Sequence, residues 1–181
     1  MSDTAYDQPI RDLSTWTIDP LEAFAIAQQG QELELIRVVA QSHAYRSHEP
    51  HSVRLRWAKL SLKANERLPG GSSWNDARKS CQNFALRIWI IEHLGTGTGT
   101  GTDRDWDPEA LAADTLAALA LTPGQAGALS ANWHDLPAER IRELRRHKNL
   151  TAHLDRLVAF VPAGPTKDQL HSWTEVRKHL S

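Results

Sequence analysis

Apolar positions in this chain recur at intervals of three and four. The stretches that carry them are bounded by proline, glycine and small polar residues, which is the pattern of amphipathic helices. Asp19, Pro20 and Glu22 predict the first start, with Asp19 as N-cap and Pro20 at the first helical position, where its missing amide costs nothing. From there a helix is expected to run, loosened at Gly30, to about Arg46. Pro50 then interrupts it, because it lacks the amide that a helix needs. A second helix, HSVRLRWAKLSLKANERL, ends at PGG. A third, WNDARKSCQNFALRIWIIEHL, is capped by Ser73 with Asp76 and stopped by Gly95.

Further starts follow at Asp107 with Pro108, at Thr122 with Pro123, and at about Pro137. A last helix comes after PAGP. Nothing alternates strongly enough to demand a strand. The reading is an all-α, single-domain helical bundle of about four longer helices and two or three short ones. Gly95 to Thr102 alternates glycine and threonine. It cannot pack a core, so it is expected to be a mobile linker between a helical part at 19–94 and another at 107–180. It is not a phosphate-cradling loop, since no lysine follows in the right place and no strand precedes it.

Side chains on these helices divide into core and surface candidates. Phe84, Ile88, Trp89 and Ile91 read as core, and Cys81 on the same helix reads as a small buried apolar residue. Trp57 has two readings. With Leu60 and Ala64 it forms a buried stripe; with Arg54, Arg56, Lys59, Lys63 and Arg67 around it, it suits a helix that tracks phosphates and stacks a base.

Composition narrows the classes. The chain has 181 residues, 40% hydrophobic and 24% charged, as expected for a soluble globular protein, with no apolar run that would span a membrane. The acidic, polar N-terminal stretch does not resemble a secretory signal. The lone cysteine excludes a disulfide framework and any multi-cysteine zinc site, so the expected address is a reducing cytoplasm. His43, His48 and His51 surround Pro50, but their spacing fits no compact metal site. No metal or cofactor is expected.

The net charge of -1 hides segregation: residues 1–36 carry -6, 37–67 carry +5, 92–139 carry -7 and 140–156 carry +4. Two basic islands that both hold histidine point to a polyanion such as RNA or DNA.

The second island contains RRHKNLTAHLD, Arg145 to Asp155, with two arginines, a lysine and two histidines. Upstream, Ile141 and Leu144 mark one helix face. Downstream, Leu150, Leu154, Leu157 and Val161 mark a stripe roughly opposite. A kink between Arg145 and Asn149, with Asn149 capping the restart, is expected to reconcile the two and to gather cations where a phosphate would bind.

Arg146, six intervening residues and His153 resemble the Arg-x(4–6)-His signature of HEPN domains, all-helical nucleases and nucleotide-binding modules of prokaryotic toxin and defence systems. The stretch is also similar to family sequences of the form Arg-polar-Lys-x-x-Ala-His-x-Asp, with Ala152, His153 and Asp155 matching, although this chain has one more residue between arginine and histidine than that form. The match covers about a tenth of the chain. The resemblance implies metal-independent RNA cleavage in a homodimer, with His153 as acid/base and Arg146 holding the scissile phosphate. Asn149 would orient His153 or donate to the phosphate, while Arg145 and Lys148 would add charge for nucleic acid. Two other classes stay open. A helical DNA-binding regulator would use the basic helix after Pro137 for recognition. A non-catalytic interaction protein, of the antitoxin or immunity kind, would use the acidic N-terminal segment to meet a protein partner.

Overall fold

A computed structural model of the chain describes residues 12–70, 73–95 and 103–180, and only the backbone of 73–77. The chain is all-α: the described residues form helices and connecting turns, and none lies in a strand. The helices are α1 (Ile18–Ala25), α2 (Gly30–Ala44), α3 (His51–Arg67), α4 (Ser73–Leu94), α5 (Pro108–Ala117), α6 (Pro123–Ala131), α7 (Ala138–Leu150), α8 (Leu154–Val158) and α9 (Pro165–Arg177). Short 3-10 turns at Arg104–Trp106 and Trp133–Asp135 precede α5 and α7. Five of these helices have 13 or more residues, so the described chain is cut into more pieces than its periodicity suggests.

Two side-chain caps and one glycine stop account for three of the boundaries. The Asp107 side chain accepts hydrogen bonds from the amides of Glu109 (3.1 Å) and Ala110 (3.4 Å). Thr122 and Gln125 exchange hydrogen bonds at 3.2 and 2.9 Å, a complete capping box. Gly95 ends α4 at φ 79°, a conformation that a side chain would disfavour. Two boundaries differ from expectation. α1 starts at Ile18 with Thr17 as N-cap, so Asp19 lies inside the first turn rather than before it. The expected long first helix is broken after Ala25 and restarts at Gly30, whose φ of 55° permits the turn.

The chain divides into two compact units, Met1–Gly71 and Ser72–Ser181. The expected boundary at the Gly/Thr tract is therefore displaced: α4 belongs with the C-terminal unit, not with the preceding helices. The reason is its apolar stripe, since Phe84, Ile88 and Ile91 pack in one core with Leu111, Leu150 and Leu157. Residues 96–102 of the tract, and the side chains of Ser73 and Asp76, lie outside the described residues.

In the first unit, α2 and α3 pair antiparallel. The Ser61 hydroxyl donates to the Arg37 carbonyl (3.1 Å), and Arg54 Nε donates to the Ala44 carbonyl at the end of α2 (3.0 Å). Trp57, Leu60 and Ala64 are buried, which decides for the core reading of that stripe. The Trp57 ring stacks on the buried His43 at 4.3 Å and is not presented to a base.

Candidate functional site

The basic stretch of the second unit folds differently from the expected kink. α7 continues through Arg145–Asn149 to Leu150, and the break falls at Thr151–His153. His147 is the cause. Its ring is fully buried, Nδ1 donates to the Glu143 carbonyl (2.8 Å), and Nε2 accepts from the Leu121 amide (3.0 Å). Both nitrogens are thus satisfied in one neutral tautomer, with the ring stacked near Trp173 at 5.6 Å. Burial lowers its pKa, which favours that neutral form. His147 thereby joins Leu144 to Leu150 as one buried face, and no kink is needed between them.

The chain turns one step later because Thr151 is also buried and its hydroxyl donates back to the His147 carbonyl at 2.8 Å. α8 then begins with His153 as N-cap, so Asn149 does not cap the restart and its side chain is exposed. Arg145 and Lys148 are also exposed.

Arg146 and His153 face different neighbours. Arg146 is half-buried, and its Nε lies buried without a hydrogen-bond partner among the described residues. Its charge acts on Cys81, whose thiol is pushed up by burial and pulled back by this guanidinium, and on His147. The charges that act on His153 are Arg156, Arg177 and Glu92. Burial moves the half-buried His153 ring below its ordinary value of 6.5, the two arginines push the same way, and Glu92 opposes them. Among the described residues, none hydrogen-bonds to its ring.

The group around His153 comes from three helices. Glu92 lies in the last turn of α4, with His93 next to it in the chain, Asp155 and Arg156 lie on α8, and Arg177 ends α9. Arg156 grips Glu92 with two hydrogen bonds, from Nε at 2.6 Å and from Nη2. That pairing holds the Glu92 carboxyl below its ordinary range, against the opposing effect of burial. Arg177 donates to Asp155 at 3.0 Å. His93 stacks on Trp89 at 4.4 Å, and Trp89 is half-exposed rather than core. Sequence reasoning missed Glu92, His93, Arg156 and Arg177. The available signal was Arg156 three positions after His153, and hence on the same face if α8 is read as starting there.

The remaining basic positions are largely occupied. Arg54 is buried on the Ala44 carbonyl, and Arg56 donates to both Asp19 and Glu22 at 2.6 Å. Arg67 covers the carbonyls of Ala25, Ile26 and Gln28 at the end of α1. Lys59 is half-buried and Lys63 is exposed. His43 turns inward to the Ser14 carbonyl (3.1 Å) and Glu49 (3.1 Å). Among the described residues, no three histidine, cysteine, aspartate or glutamate side chains converge on a metal position. No described helix is long and apolar enough to cross a membrane. Compared with known protein families, with curated proteins and with solved structures, the chain matches none of them.

Proposed function

We propose that the chain is a HEPN-like, metal-independent endoribonuclease with His153 as its proton-transfer group. One observation carries this reading: a half-buried imidazole at the α7–α8 break, held below its ordinary pKa beside the guanidinium groups of Arg156 and Arg177. An imidazole that is neutral near pH 7 accepts a proton from a ribose 2′-hydroxyl. A fixed guanidinium beside it offsets the charge that gathers on the phosphate in the transition state.

The 2′-oxygen bonds to phosphorus, the bond to the 5′-oxygen breaks, and the products end in a 2′,3′-cyclic phosphate and a 5′-hydroxyl. In this reading Arg156 is the cation nearest the chemistry, whereas the resemblance assigns that role to Arg146. The homodimer and the toxin or defence setting rest on the resemblance alone.

The test is incubation of labelled RNA with the purified chain in EDTA. Cleavage to cyclic-phosphate ends, lost in His153→Ala, supports the reading. Cleavage that needs a divalent metal, or that survives His153→Ala, overturns it.

A further inference from the structure

The end of α4 holds a second imidazole that the site as described leaves without a task. The geometry points to His93 as a second proton-transfer group, a general acid that protonates the leaving 5′-oxygen of an RNA strand; this rests on the ribonuclease reading above.

Glu92 is the hub of the arrangement. Arg156, three residues beyond the N-cap His153 in α8, grips its carboxylate. His93 Nδ1 lies 3.9 Å from Glu92 Oε2. The charges of His93 and His153 both act on the same carboxylate. His93 adjoins this carboxylate, and His153 caps the short helix whose Arg156 grips it, so two segments 60 positions apart each bring an imidazole to the junction of α4 and α8.

The setting of His93 suits an acid. Its ring lies on Trp89 at an interplanar angle of 14°, and its Nδ1 donates to the Trp89 carbonyl at 2.9 Å. With Nδ1–H committed to that carbonyl, Nε2 is the nitrogen left to meet a substrate, and the side chain is 50% exposed. An imidazolium here carries a proton on each nitrogen. Giving up the Nε2 proton returns the ring to the tautomer that the Trp89 carbonyl already selects. The stack and the hydrogen bond fix the ring before substrate arrives, so little ordering is required at the moment of reaction.

The step balances with two imidazoles and no other reactant. His153 takes the 2′-hydroxyl proton as the 2′-oxygen bonds to phosphorus. The bond from phosphorus to the 5′-oxygen breaks, and that oxygen leaves with the Nε2 proton of His93. Water returns the proton from His153 to the solvent and recharges His93. The chemistry restricts the substrate to strands with a 2′-hydroxyl beside the scissile phosphate, so DNA is not cleaved.

The test compares two substrates: an RNA oligonucleotide and uridine 3′-(p-nitrophenyl phosphate), whose leaving group departs without being protonated. His93→Ala is expected to slow RNA cleavage about 100-fold or more, yet to stay within about threefold of the unaltered chain on the activated substrate. His153→Ala is expected to lose both. His93→Gln, whose amide retains a donor for the Trp89 carbonyl but no acid, should reproduce the split with an unchanged melting temperature.

Cleavage of RNA by His93→Ala at near the original rate, with His153→Ala inactive, overturns the role of His93 and leaves the ribonuclease reading intact. Equal losses on both substrates by His93→Gln overturn it as well. If the unaltered chain cleaves neither substrate, both readings fall.

Discussion

His147 accepts a hydrogen bond on Nε2 from the Leu121 backbone amide at 3.0 Å, so of the two histidines in the basic stretch this one is a buried strut between α7 and the turn before α6. His147→Ala should cost on the order of 2–5 kcal/mol, because it opens a cavity and strands the Leu121 amide. Chemical denaturation measures this, and a loss below about 1 kcal/mol would mean that the contact is dispensable.

The same residue makes stability depend on pH. Its folded pKa lies below the unfolded value of about 6.5, so as pH falls the unfolded chain binds the proton first. The contribution is complete above about pH 6.5 and is lost progressively as pH falls toward the lowered folded value. His153 adds to the loss in the same direction. Melting temperatures between pH 8 and 5 should decline, and the decline should be shallower in a His147→Gln variant.

Arg87 ties the turn before α5 to α4. It is buried, donates to the carbonyls of Asp105 (2.8 Å) and Arg104 (3.0 Å), and pairs with Asp114 at 2.8 Å. Burial alone would raise the Asp114 carboxyl, but hydrogen bonds from Arg87 and Arg104 outweigh it and hold the group below its ordinary value. Arg87→Ala should destabilise by on the order of 3 kcal/mol, since it takes the donor from two carbonyls and leaves the partly buried Asp114 carboxylate with Arg104 alone. Stability from Asp114 is present above its unfolded pKa and is lost as pH falls through the lowered folded one. An acid-unfolding midpoint unmoved by Asp114→Asn would contradict that account.

Polyanion binding should not run through the first basic island. Arg56 is taken up by Asp19 and Glu22, Arg54 by a carbonyl, and Trp57 by the core. Replacing Arg56 and Lys59 together with alanine should change the salt dependence of single-stranded RNA affinity by less than one phosphate contact, a log–log slope of about 0.7. A larger flattening would return α3 to the binding surface.

Arginine variants separate the two assignments of the phosphate clamp. If Arg156 is the cation beside His153, Arg156→Ala should lower RNA cleavage by about 100-fold, whereas Arg146→Ala should act mainly on stability. The opposite ranking of rates would favour the pairing that the resemblance implies.

What the sequence determined by itself was local. The capping box of Thr122 and Gln125, the Asp107 cap with Pro108, and the stop at Gly95 depend on residues within one turn of each other, so spacing alone reveals them. The stripe Phe84, Ile88, Ile91 was legible for the same reason. Side-chain state was not legible, because a histidine or arginine has the same letter on the surface and in the core. His147 reads as a cation in a basic run, yet a carbonyl on its own helix and the Leu121 amide 26 positions away make it a neutral core residue, and that moved the break from Arg145–Asn149 to Thr151–His153. Arg156 and Glu92 are 64 positions apart, and only the packing of α8 against α4 decided that His153 would meet them rather than Arg146. Capping and periodicity are set by neighbours along the chain, whereas burial and charge pairing are set by whichever segments share the core.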